Sequence, residues 1–117
     1  MQSIDIQVER LENHDDIVMI HIKGALETIA AYTFQEKMET LVASGLYKFI
    51  INFEKLDYIS SAGIGVFPGI AQTLRQYQGN IVFTHVSPKT VKLFNLIGLT
   101  TLFTISETTE EALKEFL

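Results

Sequence analysis

Residues 57 to 66 read Asp57-Tyr58-Ile59-Ser60-Ser61-Ala62-Gly63-Ile64-Gly65-Val66. Two adjacent hydroxyls are followed by small residues. Three chemistries fit such a segment: a nucleophile, a helix cap, or a phosphate acceptor. A nucleophile needs a base within hydrogen-bond reach. The bases available are His14, in a polar turn, and His21 and His85, which fall in expected strands and read as structural. A Gly-x-Ser-x-Gly elbow is absent, so independent catalysis is not expected. Metal chemistry is equally poorly served. No two histidines share a helical i, i+4 spacing, and with no cysteine there is no thiolate ligand and no disulfide. Gly63-Ile64-Gly65 begins like a dinucleotide fingerprint, but its third glycine would fall at Pro68, and no phosphate-loop lysine follows. No cofactor is expected.

The remaining chemistries both need a helix start. Serine there ordinarily caps an orphan amide. A phosphate on Ser61 would add about -1.5 to -2 charge and three acceptor oxygens. A helix N-terminus tolerates an anion, worth ~0.3–1 kcal/mol. A partner docked over the same spot would have to desolvate it, at a cost of several kcal/mol. The segment is therefore suited to a switch acting at an interface. The small residues after it would let a partner approach closely.

Positioning this segment requires a strand before it and a helix after it. Residues 4 to 10 alternate, with Ile4, Ile6 and Val8 on one side, and predict a half-buried edge strand. A polar turn at 13–16 leads to a second strand over 17–23, ended by Gly24, and the two form an antiparallel hairpin. Helical spacing over 28–43 gives a stripe of Ile29, Tyr32, Met38, Leu41 and Val42, closed by Gly45. Phe49, Ile50, Ile51 and Phe53 predict a strand covered on both faces. A helix over 62–78 carries Ile64, Phe67, Ile70 and Leu74, mostly core, with a member near its start available to a partner. Pro68 should kink it or delay its start to near Gly65. Residues 81–86 are a strand. Ser87-Pro88 starts a helix carrying Val91, Phe94 and Ile97 that stops at Gly98. A short strand over 102–105 precedes a last helix, opened by the Thr108/Glu111 capping-box spacing and ending near Phe116. Glu107, Glu110 and Glu111 complement its dipole. The pattern ββαβαβαβα predicts an α/β fold: a mixed, mostly parallel sheet with an N-terminal antiparallel hairpin and about four helices.

Element order and local motifs together resemble the anti-sigma-factor antagonist family, whose domain is the STAS domain. Gly24-Ala25-Leu26-Glu27 looks like the family's Gly-x-Leu-Asp turn. Residues 57–66 look like its Asp-Ser-Ser/Thr-Gly-Leu-Gly phosphorylation loop. Residues 79–98 resemble its run of glycine, strand, Ser-Pro helix start and Phe-containing helix ending in Gly. The resemblance covers nearly the whole chain. It implies one STAS domain over 1–117, phosphorylated on Ser61, with Ser60 as the rival acceptor. It also implies a partner surface of Glu27, Tyr58, Ile59, Ser60, Ala62, Gly63, Ile64 and Gly65. The implied partners are an anti-sigma factor with serine-kinase activity, bound by the unphosphorylated form so that the sigma factor is freed, and a PP2C-type phosphatase. The chain departs from the family where Ser60 replaces the loop Asp, Glu27 replaces the turn Asp, and Pro68 enters the helix. STAS domains also serve as scaffold subunits, in stressosome-like assemblies, in secretion or phosphatase pathways, or beside lipid-transport ATPases, and that reading stays open.

Composition bounds these readings. A chain of 117 residues that is 47% hydrophobic, with eight Phe, is one domain with a sizeable core. Its net charge of -5 and scattered cations, none clustered more densely than Lys89 and Lys92, disfavour nucleic acid. No apolar run reaches the ~20 residues that span a bilayer, and Asp5 and Glu9 interrupt the start, so neither a membrane span nor a signal peptide is expected. A cytoplasmic location is expected. No coiled-coil heptads occur, and a monomer is expected when free.

Overall fold

The computed structural model describes residues 4–117 of the domain expected over 1–117. Strand β1 (Asp5–Leu11) pairs antiparallel with β2 (His14–Leu26). The turn is tighter than the sequence suggests: Asn13 takes a left-handed φ of 67°, and His14 already belongs to β2. Asparagine tolerates that conformation because its short side chain bonds locally. Strands β3 (Lys48–Asn52), β5 (Asn80–Thr84) and β6 (Thr104–Ser106) add in parallel, giving the order β1-β2-β3-β5-β6 with β1 at an edge.

Between β3 and the next helix lies β4 (Leu56–Ile59), which pairs in parallel with the end of β2. Sequence patterning misses it because four residues, Leu-Asp-Tyr-Ile, carry too little alternation to register. The same pairing corrects the end of β2. Gly24, at φ 107°, marks a register shift inside the strand, and the strand runs on to Leu26. A glycine within a strand marks such irregularities.

Helices α1 (Thr28–Ala43), α2 (Ser61–Arg75) and α3 (Pro88–Leu96) send side chains into the main core, while Ala112 of α4 (Thr109–Lys114) packs on the other face with Ile17, Met19, Ile50 and Val82. Burial on both faces explains the near-continuous apolar run in β3. Phe83 of β5 is the hub: its ring lies 5.0 Å from Phe67 of α2, 5.4 Å from Phe94 of α3 and 5.2 Å from Phe103. Each fully buried Phe contributes roughly 1.5–3 kcal/mol relative to exposure, so this cluster fixes where α2 and α3 stand.

Four expectations about helices and strand ends are corrected. The buried face of α1 is Ala31, Phe34 and Met38, whereas Ile29 is 73% and Tyr32 65% exposed. Phe34 packs 5.4 Å from Phe67, and that large ring sets the rotation of the helix. Pro68 neither delays nor interrupts α2, which starts at Ser61 and ends at Arg75 rather than at 78. His85 lies beyond β5 in a left-handed conformation, φ 56°. Leu102, expected in the last strand, is 54% exposed after a 3-10 turn at Leu99–Thr101, and β6 begins only at Thr104.

At the starting end of the sheet Lys48 Nζ donates to the Asp16 carboxylate at 3.0 Å. That bond holds the Asp16 carboxyl below its ordinary 3.8.

Candidate phosphate-acceptor turn and groove

The first turn of α2 meets the end of β2 at one backbone oxygen. The Leu26 carbonyl accepts from the Ser60 amide at 3.0 Å and from the Ser60 hydroxyl at 3.2 Å. The same hydroxyl oxygen accepts from the Gly63 amide at 3.1 Å, making Ser60 the N-cap of α2. One side chain therefore caps the helix and clasps it to the sheet. Gly63 makes that contact possible: a Cβ there would lie 2.3 Å from the Leu26 oxygen. Its role is close packing within this chain.

Ser61, one residue on, has neither duty. It is exposed at the first position of α2, and among the described residues its hydroxyl makes no hydrogen bond. Ala62 and Gly65 are also exposed, and a Cβ added at Gly65 would meet nothing within 4 Å. No acidic residue occupies the first turn of α2, whereas α4 has Glu110 and Glu111 there. The positive end of the α2 dipole thus receives no counter-charge from the helix's own first turn.

The structure divides the residues proposed for a partner surface. Glu27 at the start of α1, Tyr58 at 52% exposure, Ala62 and Gly65 lie on the surface. Ser60 is half-buried, and Ile59, Gly63 and Ile64 are buried. Phe67, Ile70 and Leu74 are buried with Ile64, so the whole apolar stripe of α2 belongs to the core.

Sequence reading missed a groove of about 710 Å³ that runs from this turn to α3. One wall is Ser61, Gly65 and Pro68 of α2; the other is Lys89, Lys92, Leu93 and Leu96 of α3, with β4 between them. The spacing on α3 places its four residues on one helix face. Ile97, expected on the buried face of the third helix, is 50% exposed at the groove, and Leu96 is 77% exposed. Two successive exposed apolar residues before Gly98 were the available signal. His21 is paired with Glu9 at 2.9 Å on the β1–β2 ladder, and His85 lines a different pocket, so no histidine lines the Ser61 groove. Among the described residues no cluster of three His, Asp or Glu could hold a metal ion, and no helix is long and apolar enough to cross a membrane.

The comparisons with known proteins agree with this architecture. The anti-sigma-B factor antagonist of Bacillus subtilis is 27% identical over 107 residues, covering 92% of this chain and 96% of that one. The solved structure of the anti-sigma factor antagonist SpoIIAA in its unphosphorylated form superposes with a TM-score of 0.74 at 25% identity, covering 95% of this chain and 96% of that one. The Bacillus cell fate determinant SpoIIAA in the phosphorylated form gives 0.72 at 27% identity, covering 97% and 100%. The family model for the STAS domain matches residues 9–112, from the β1–β2 hairpin through the start of α4, and so takes in the Ser60 clasp and both walls of the groove: the chain belongs to the STAS domain family.

Proposed function

We propose that this protein is an anti-sigma-factor antagonist of the cytoplasm, active unphosphorylated and switched off by phosphate on Ser61. The unphosphorylated form binds an anti-sigma factor that doubles as a serine kinase, and so releases the sigma factor. A PP2C-type phosphatase restores it. The relatives named as anti-sigma factor antagonists, and a related protein solved both with and without phosphate, support the reading.

The observation that carries it is the difference between two adjacent hydroxyls. Ser60 is half-buried and holds α2 to β2, so modifying it would break the clasp. Ser61 is exposed and unengaged among the described residues. A phosphate there meets an amide-rich helix end with no acid of its own, so the fold tolerates it. A partner resting on Glu27, Tyr58, Ala62 and Gly65 would have to desolvate that dianion. Losing ~2.8 kcal/mol of binding is a hundredfold in affinity.

The test is phosphate incorporation by the cognate kinase. Wild type and Ser60→Thr should be labelled, and Ser61→Ala should not. Equal labelling of Ser61→Ala and wild type overturns the assignment. Ser61→Asp should weaken the complex by at least about tenfold while melting within a few degrees of wild type. Undiminished binding by Ser61→Asp would instead favour a non-switching scaffold role.

A further inference from the structure

We propose that Lys89, seconded by Lys92, is the receiving site for the phosphate on Ser61, so that the modified side chain folds across the groove and pairs with the first turn of α3. The inference rests on Ser61 being the acceptor.

Strand β4 leads into α2 and β5 leads into α3, and both strands run in the parallel part of the sheet. The first turns of the two helices therefore lie at the same edge of the sheet, the carboxyl ends of its strands. Ser61 is the first residue of α2, and Lys89 the second of α3. Both line the same groove, and Lys92 lines it one turn further along. The walls are held at fixed spacing because Phe67 and Phe94 both pack on Phe83.

Charge singles out the groove. Its lining carries two lysines against one acid, Asp57, while the rest of the chain carries seven cations against thirteen acids. The ion pairs among the described residues are Glu9–His21 and Asp16–Lys48, so neither groove lysine has a carboxylate within salt-bridge distance. Lys89 also stands in the first turn of a helix, the end at which the dipole disfavours a cation. Local folding does not explain a lysine there, whereas an incoming dianion on the facing wall does. Flexible ammonium groups suit phosphate as point charges.

The pairing gives the switch a second effect. Besides obstructing a partner, the phosphate would draw Ser61 toward α3 and neutralise the groove's cations. A partner that reads Lys89 in the open form would lose that contact at the same moment.

Phosphoserine placed at position 61 during translation tests the pairing without any kinase, so its outcome is independent of whether Ser61 is the natural acceptor. The readout is the phosphorus NMR titration of the second phosphate ionisation, ordinarily near pH ~6. The titratable groups that line the groove with Ser61 are Lys89, Lys92, Asp57 and Tyr58, and Glu27 stands exposed at the start of α1, next to the Leu26 that Ser60 clasps. The wild-type midpoint should lie below that of Lys89→Gln by about half a pH unit, with a smaller displacement in Lys92→Gln and the largest in the double variant. Lys114→Gln, in the last turn of α4, should titrate like wild type. Coincident midpoints in wild type and the double variant would overturn the pairing and leave the phosphate to the helix end alone. Unmodified lysine variants should melt like wild type, which excludes an effect of folding.

Discussion

The two faces of the first turns of α2 are built on opposite rules. Toward the sheet everything is committed: Ser60 bonds twice, Gly63 has no space for a methyl group, and Ile64 and Phe67 are buried. Toward solvent nothing is: Ser61 is unengaged among the described residues, and Ala62 and Gly65 leave a shallow, unobstructed surface. Residues of similar type, a serine and a glycine on each side, thus do different work within one helical turn. The committed face ties the backbone to the sheet, and the free face carries none of those ties.

Substitutions can break that contrast. The largest effect is expected from Gly63→Ala, whose methyl group collides with the Leu26 carbonyl; a loss of about 3 kcal/mol should appear in a urea unfolding curve. A wild-type midpoint would mean that α2 can lift from β2 at little cost. Next is Ser60→Ala, which removes a cap and orphans part of the Leu26 interaction, at about 1.5–2 kcal/mol. Ser87 at α3 is the internal control. Its hydroxyl accepts from the Thr90 amide at 3.2 Å, but its other hydrogen bond is to Thr90 of the same turn. Ser87→Ala should therefore cost only about 1 kcal/mol, and equal losses at the two caps would remove the clasp from the account. On the free face Gly65→Ala should stabilise by about 0.5–1 kcal/mol, since it adds helix propensity where there is space. The smallest effect is far from the site. Asp16→Asn should cost no more than about 0.5 kcal/mol at neutral pH, because the pair is exposed. The Asp16 carboxyl is lowered in the folded state, so its contribution is present above the ordinary carboxylate range. The difference between the two proteins should fade as pH falls through the lowered value.

Much of this arrangement was legible in the chain. Apart from the four-residue β4, the order of strands and helices followed from periodicity, and the capping residues of α3 and α4 from Ser87-Pro88 and Thr108/Glu111. Four features were not legible. The rotation of α1 depends on which aromatic ring meets Phe67, a tertiary fact that spacing along one helix does not contain. The division of labour between Ser60 and Ser61 depends on where Leu26 ends, since the clasp joins residues 34 apart in sequence. The groove depends on two helices that both pack on one strand residue, Phe83, so Lys89 could be seen as part of a mild cluster but not as lining one groove with a serine 28 positions earlier. The purpose of Gly63 was likewise hidden: small residues in this segment suggested access for a partner, and this one instead admits the chain's own backbone.

The sheet's two borders restrict how this protein can meet others. The outer strand β1 presents Asp5, Gln7, Glu9 and Arg10 to solvent, and the opposite border, β6, is only three residues long. Charges along one margin and brevity at the other both discourage a foreign strand from adding to the ladder. Assembly by backbone zippering is therefore disfavoured at both margins, which shifts the surface open to recognition toward the helices.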